Sequence, residues 1–490
     1  MSCVRSSKGR DASAFASPFT LHPFHLLPET MNLSANMRSQ TKYLPTALIA
    51  AGAAVMLFAP SPLTKAAVLA LLSLGFWATA LMPEHITALL FFLLALLFSV
   101  TSSDIVFSGF SSAAVWLVFG GLIIGSAVSA TGLGARTARA AAFWLHGSYL
   151  KIIIGLVAAS LLFSFFMPSA MGRVVLLTPI ALSIADHFGF QEGRKGRTGI
   201  LLAVILGTYI PAFGILPANV PNMVLAGMAE TQYHFSILYG SYLLLHFPLL
   251  SLSKAVLIVG FILFLYPDQP AAIADQKQSK AEPFSRNERI LTAVLLVMLV
   301  LWMTDFLHHI SPAWIALGGA VLLLLPGVDI VSTAQFNQKI KWSSIIFVAG
   351  ILGLGGMISK TGLGSAAASG VIKLLPLAKE QDFLNYMSVS MASALAGMAA
   401  TLPAVPAVFT PLTDSLAQVT GLPVPTLLMM QVVGFSTIVF PYQAPPIVVG
   451  LQMGGEKPMT AAKITLPLAL ISLFILLPLN YFWWKILDWL

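Results

Sequence analysis

The chain has 490 residues, of which 58% are hydrophobic and only 9% charged, 26 Lys and Arg against 18 Asp and Glu. Soluble domains carry about 25% charged residues, so this composition excludes a water-soluble globular enzyme. The net charge of +8 is no nucleic-acid footprint. Part of it lies in residues 1–42, and most of the rest lies in short loops, where basic residues mark the cytoplasmic face of a membrane protein.

A bilayer core of about 30 Å takes about 20 apolar residues per helical crossing, and apolar runs of that kind recur along the chain. The reading is an all-α polytopic membrane protein. A transmembrane β-barrel would instead show alternating segments of about ten residues. Residues 1–42 hold no apolar core of a signal peptide, are interrupted by prolines, and read as a disordered tail, with Met31 or Met37 as alternative starts. The single cysteine, Cys3, rules out an internal disulfide framework and a Cys-based metal site.

In chain order, crossings are expected at about 44–60, 65–82, 85–100 and 111–134, then 199–230, 235–266, 290–306, 311–326, 343–364, 424–455 and 460–488, about 11 in all. Stretches 150–188 and 383–420 differ. The first lies between Arg136, Arg139 and Lys151 on one side and Arg194, Lys195 and Arg197 on the other. Two cytoplasmic clusters require it to enter and leave on one face. Its arms, 152–167 and 174–188, span roughly 24 Å each at 1.5 Å per residue, short of a crossing. Met167-Pro-Ser-Ala-Met-Gly172 breaks the helix between them, giving a re-entrant hairpin. With the N-terminus cytoplasmic, the basic loops 135–151, 189–198 and 267–289 all fall inside, and the second hairpin opens from the opposite face.

Two crossings contain breaks, at Pro217-Ala-Asn-Val-Pro221-Asn222 and Pro441-Tyr-Gln-Ala-Pro445-Pro446. Unwound backbone at membrane depth survives only buried in protein or lining a cavity. Three landmarks recur in the same order at nearly constant separation. Ser129-Ala-Thr-Gly-Leu-Gly134 matches Ser359-Lys-Thr-Gly-Leu-Gly364, Thr178-Pro179 matches Thr410-Pro411, and Pro217-x-Asn219-x-Pro221 matches Pro441-x-Gln443-x-Pro445. An odd number of crossings between the copies inverts the second, which is the architecture of secondary transporters. The expected organisation is therefore a tail (1–42), a first transmembrane helix (43–64), repeat 1 (65–266, hairpin about 150–188, broken helix about 199–230), a cytoplasmic linker (267–289) and repeat 2 (290–490, hairpin about 383–420, broken helix about 424–455).

On these motifs the chain resembles the divalent anion:sodium symporter family over about residues 44–488. The likeness rests on the Thr-Gly-Leu-Gly helix ends, the hairpin arm with Thr178-Pro179-Ile-Ala-Leu, and the Pro221-Asn222 break. The resemblance implies a dimer in the plasma membrane, a scaffold with a mobile transport domain, and elevator-like movement. It also implies a small anionic substrate, a di- or tricarboxylate, sulfate or sulfonate, coupled to sodium. The family's hairpin tips carry Ser-Asn-Thr. Here they read Ser169-Ala170-Met171 and Thr401-Leu402-Pro403, so the hydroxyl is kept and the Asn and second Thr are replaced. The family's Gly-Thr-Pro-Pro-Asn break stands as Ala218-Asn219-Val220-Pro221-Asn222.

Six residues are candidate substrate ligands: Ser169, Arg173, Thr401, Asn219, Asn222 and Gln443. Sodium, if bound, would sit near Ser169, Asn219, Thr401 and Gln443, since hard cations take oxygen ligands. Arg173 follows Ser169 by one helical turn on the same face. A charge at that depth costs at least about 2.5–3.5 kcal/mol on insertion scales unless it faces protein or water. It reads either as an anion anchor that also replaces one sodium charge, or as a structural cation bonded to carbonyls at a broken helix. The hydroxyls of Ser169 and Thr401 bind ligand or cap a helix turn, and the amides of Asn219 and Gln443 bind ligand or satisfy stray backbone groups. Asp414 reads as interfacial, as do Asp305, His308 and His309, while Glu84-His85 reads as an inner helix end. Tyr481, Phe482, Trp483, Trp484 and Trp489 form an interfacial belt. No Walker motif, HExxH or nucleophile elbow is present, so neither ATP-driven transport nor intramembrane hydrolysis is expected, and no resident cofactor. The rivals are a cation/proton antiporter or metalloid exporter on the same scaffold, which would place an acidic residue at the tips, and a transport-inactive membrane scaffold, which would bind no ligand.

Overall fold

The computed structural model describes residues 43–79, 81–134, 136, 148–270, 283–399 and 402–490. The tail 1–42, Thr401, Arg139, Lys277 and Lys280 lie outside the described residues. Residues Leu48–Leu490 form one compact unit, which holds both hairpins and both broken helices. Among the described residues every regular element is a helix.

Helices Pro62–Thr79, Glu84–Leu97 and Ala113–Thr131 stand at expected crossings, followed by a helical hairpin, Tyr149–Phe166 and Ala170–His187. A broken helix follows, Lys195–Tyr209 and Val220–Tyr233, then a long helix from Tyr239 to Leu265. Its middle, Phe247–Leu252, relaxes to π geometry just where Pro248 would have broken an α-helical bond. The second half runs through Arg286–Met303, Pro312–Leu324 and Trp342–Lys360 to a second hairpin, Asp382–Ala399 and Ala404–Thr420. A second broken helix, Val424–Phe435 and Pro445–Met453, and the pair Pro458–Ile471 and Leu477–Ile486 complete the chain.

Among the described residues seven helices are long and apolar enough to cross a bilayer, or eight if the bent pair Ala404–Thr420 and Val424–Phe435 is one span. This is fewer than the eleven crossings expected: Leu44–Phe58, Glu84–Leu97 and Pro312–Leu324 are only 15, 14 and 13 residues long, Arg286–Met303 carries Arg286, Glu288 and Arg289, and the second broken helix is split at Ser436. The hairpin arms also differ from expectation. Both arms of the first are 18 residues, about 27 Å, rather than about 16. Ser148 and Ser169 cap them beyond the apolar runs, so each helix starts earlier than its hydrophobic pattern. Tyr149–Phe166 is by itself long enough to cross.

Lys195–Tyr209 is buried all round, from Gly199 through Tyr209, as a helix apolar on every face must be. It packs between the two arms of the first hairpin. Helices farther out keep large apolar side chains exposed, among them Leu71, Leu93, Val256, Phe264 and Phe474. Exposed apolar surface on this scale is what a lipid-facing shell presents.

The repeated Thr-Gly-Leu-Gly motif has a local cause. Gly132 and Gly362 end their helices at φ of 73° and 77°, the left-handed cap that glycine adopts without strain. The last glycine of each motif lets the chain approach the following hairpin. A Cβ on Gly134 would lie 2.5 Å from the Leu176 side chain, and one on Gly364 2.8 Å from the Pro411 carbonyl oxygen. Gly364→Val is therefore expected to lower stability by about 1–3 kcal/mol through overpacking against backbone, read as a lower melting temperature.

Asp305 departs from its interfacial reading. It is fully buried, and its carboxylate accepts the backbone N–H groups of Tyr239 and Gly240, capping the start of Tyr239–His246 from another helix. Asp305→Ala is expected to cost about 1–2 kcal/mol of stability with ligand affinity unchanged, a split that melting and binding measurements resolve. Asp414 is exposed, in keeping with its interfacial reading.

Candidate functional site

Both breaks are longer than the Pro-x-polar-x-Pro motifs indicate. The first starts where Pro211 stops Lys195–Tyr209, and two 3-10 turns, Pro211–Gly214 and Leu216–Ala218, carry the chain to Val220. The second runs from Ser436 to Ala444, with one 3-10 turn at Pro441–Gln443. Residues 210–216 are almost wholly apolar, so nothing in their pattern announces an unwound segment.

The tip of the first hairpin is Met167-Pro168-Ser169. The half-buried Ser169 accepts the Gly172 N–H at 3.2 Å through its hydroxyl, so it caps the second arm. Arg173 is fully buried one turn further on. Its guanidinium reaches back to the Met167 carbonyl at 2.5 Å and across to the carbonyls of Thr208 and Ala218, each at 3.1 Å. It also donates to Asn219 Oδ1 at 3.5 Å. Arg173 thus ties the hairpin tip to both ends of the first break.

The break's own amides close the rest. Asn219 Nδ2 donates to the Tyr209 carbonyl at 3.2 Å, and Asn222 Nδ2 donates to those of Phe213 and Ile215, each at 3.0 Å. Asn222 Oδ1 and Thr208 Oγ1 are buried without a hydrogen-bond partner. In the second half Gln443 does the corresponding work. Its Oε1 accepts the N–H groups of Val439 and Phe440 at 2.8 and 2.7 Å, and its Nε2 donates to the Gly397 carbonyl in the second hairpin at 2.6 Å.

Hairpin tips and breaks meet at a cavity of about 300 Å³. Pro168, Ser169, Ala170 and Met171 line it from the first tip, and Pro403 from the second. The first break contributes Tyr209, Ala218, Val220 and Pro221, and the second Pro445 and Pro446. Among the described candidate ligands only Ser169 is on the wall. Arg173, Asn219, Asn222 and Gln443 sit behind it, holding the backbone that forms it. Helices 84–97, 113–131 and 342–360 close the other side with Glu84, Val118, Lys341, Ser343, Ser344 and Phe347.

Motif reasoning does not reach Glu84, Lys341 and the two serines. Glu84 reads as an inner helix end because its place on the cavity depends on packing between distant helices. The adjacent hydroxyls of Ser343-Ser344, opening a long apolar helix, are the one local signal on this side of the cavity.

The electrostatics follow from direction. Three helices begin at the cavity with first-turn residues on its wall: Ala170–His187, Val220–Tyr233 and Pro445–Met453. Trp342–Lys360 starts there too. The positive dipole end favours anions at such a point, and unpaired N–H groups add to it at Ala170–His187 and Val220–Tyr233, whereas Pro445 and Pro446 have no N–H to donate and the Ile447 N–H is paired with the Ala444 carbonyl. Prolines at the first turns of two of them, Pro221 and Pro445-Pro446, cost no helical hydrogen bond because those N–H groups have no partner within a helix. Among the described residues no cluster of His, Cys, Asp or Glu could hold a metal ion.

Fold and site together define a multi-pass membrane transporter. The fold is that of the YdaH transporter of Alcanivorax borkumensis, with a TM-score of 0.51 over 88% of this chain and 99% of that one, at 15% identity. The model of the sodium:sulfate symporter transmembrane region matches residues 34–490, and the chain belongs to that family, the divalent anion:sodium symporters. It is an anion transporter of this family. Among its relatives are a membrane protein of Cupriavidus necator, 27% identical over 78% of this chain and 76% of that one, and an uncharacterised transporter of Mycobacterium tuberculosis, 25% identical over 66% and 73%. An L-tartrate/succinate antiporter of Escherichia coli is 25% identical over 52% of this chain and 54% of its own length.

Proposed function

We propose that the protein is a secondary-active transporter of small dianions, dicarboxylates first, with sulfate and sulfonates as the alternative classes. The observation that carries this reading is the convergence of helix N-termini on one cavity between two hairpin tips and two broken helices. Backbone N–H groups bind carboxylate or sulfate oxygens directly, with Lys341 and Glu84 on the same wall. A cavity of about 300 Å³ is at the lower end of small-molecule sites and suits a substrate of four to six carbons.

Hairpins and broken helices would move as one body against helices 84–97, 113–131 and 342–360, in a homodimer, carrying the substrate past a fixed scaffold. The placement of the cavity between these two groups of helices supports that reading. Coupling to sodium is the family expectation. Exchange of one anion for another is the second reading, favoured by the antiporter among the relatives and by the Ser169 hydroxyl being engaged as a cap.

A thermal-shift screen against succinate, tartrate, sulfate, taurine and acetate tests the substrate class. A ligand at 100 times its Kd adds about 2.7 kcal/mol to the native state, so a dianion is expected to raise the melting temperature while acetate does not. A panel in which no dianion shifts the transition would overturn the reading.

A further inference from the structure

Lys254 lines neither the cavity nor the first break. It lies in the helix from Tyr239 to Leu265, is 1% exposed, and sits between apolar turns where a charge is costly to bury. Its Nζ donates to the Ser436 carbonyl at 2.9 Å and to the Ser436 hydroxyl at 3.0 Å. Ser436 is the residue at which Val424–Phe435 ends and the second break begins. The ammonium therefore caps the negative dipole end of the first half of the second broken helix.

Arg173 does the same at the first break. Its guanidinium is on the Thr208 carbonyl, in the last turn of Lys195–Tyr209. Each broken helix thus carries one fully buried cation at the end of its first half, from a different element in each case. Among the described residues neither cation has a carboxylate within salt-bridge distance. The nearby His246 is also buried, with neither ring nitrogen hydrogen-bonded, and supplies no counter-charge. Two buried cations with no anion of their own are held only by carbonyl, hydroxyl and amide oxygens, the donor set that a hard monovalent cation would otherwise use.

We infer that Lys254 and Arg173 are resident cations that occupy the places a coupling ion would take at the two breaks, so that anion binding is independent of sodium. This rests on the transport reading above and narrows it to exchange or another sodium-independent cycle. Lys254 acts as a positioning residue: it touches the unwound chain, and its charge adds to the field that draws a dianion into the cavity.

The test uses the purified full chain as wild type, Lys254→Arg and Lys254→Met. Melting is first followed against NaCl and choline chloride with no added anion, then succinate affinity is measured in each salt. Wild type is expected to melt equally in the two salts and to bind succinate within twofold. Lys254→Met should bind succinate at least tenfold more weakly, a larger change than for the monoanion acetate, and Lys254→Arg should restore it. A merely structural lysine would not alter the preference for a dianion. Stabilisation of wild type by millimolar sodium over choline would overturn the inference, with Thr208 Oγ1 and Asn222 Oδ1 the oxygens left to bind the ion. So would a folded Lys254→Met that binds succinate as wild type does. If wild type binds no dicarboxylate, the substrate reading fails, and the sodium titration alone decides the inference. If Lys254→Met does not fold, the sodium titration and the Lys254→Arg affinity decide it.

Discussion

Arg173→Gln is expected to lower stability by about 3–5 kcal/mol and to abolish anion transport. The substitution strips charge-assisted hydrogen bonds from the carbonyls of Met167, Thr208 and Ala218 and from Asn219, all in a place that water does not reach. A buried acceptor left without a donor costs about 1–3 kcal/mol, and the shorter glutamine can serve at most one of them. The functional loss has a separate origin. Without the guanidinium the hairpin tip and the two ends of the first break lose their common tie, and the N–H groups of Ala170–His187 and Val220–Tyr233 no longer face the cavity together. Arg173→Lys keeps the charge but not the fork, so it should recover part of the stability and little of the transport. Melting temperature and counterflow, measured on both variants, check this. Full transport by Arg173→Gln would show that the tie is dispensable.

Gln443→Leu is the counterpart in the second half. It frees the Val439 and Phe440 N–H groups and the Gly397 carbonyl at once, replacing a fully used amide by a side chain of similar size. The expected cost is about 2–4 kcal/mol. Counterflow should fall at least tenfold, because the second break is then no longer joined to its hairpin. Gln443→Glu discriminates further: a carboxylate still accepts from Val439 and Phe440 but cannot donate to Gly397, so it should keep the break and lose the tie. If Gln443→Leu transports at the wild-type rate, the hairpin and break do not need to move together.

The chain shows its folding plan where a residue type has one local use. The two left-handed glycines that end helices, the two proline-flanked breaks and the proline-interrupted hairpin tip all follow from backbone chemistry that a sequence displays directly. Extents are harder to see. Pro211 begins the first break six residues before Pro217, but a proline alone does not announce a helix end, since Pro179 and Pro467 sit inside continuing helices, and the residues between Pro211 and Pro217 are apolar and blend with the flanking helix. Capping serines lengthen the hairpin arms past their hydrophobic runs.

The site is legible in the sequence as a place rather than as a set of ligands. Ser169 falls on the cavity wall, whereas Arg173, Asn219, Asn222 and Gln443 support the wall from behind, and Thr401 lies outside the described residues. Residue type announces that a polar group at membrane depth must be used. It does not say whether the use is a ligand or the chain's own unwound backbone. Glu84, Lys341 and Lys254 depend on packing between elements far apart in sequence, which no local pattern records. Asp305 is the same case at a helix start: its carboxylate finds Tyr239 and Gly240 only in the folded chain.

Counterflow in proteoliposomes tests the central claim most directly. Vesicles holding the purified protein are loaded with unlabelled succinate and diluted into a trace of labelled succinate. Transient accumulation well above equilibrium is predicted, abolished when the internal anion is omitted and competed by external tartrate but not by acetate. Protein-containing vesicles that take up no more label than empty ones, whether loaded with succinate, tartrate, sulfate or taurine, would contradict dianion transport through this cavity.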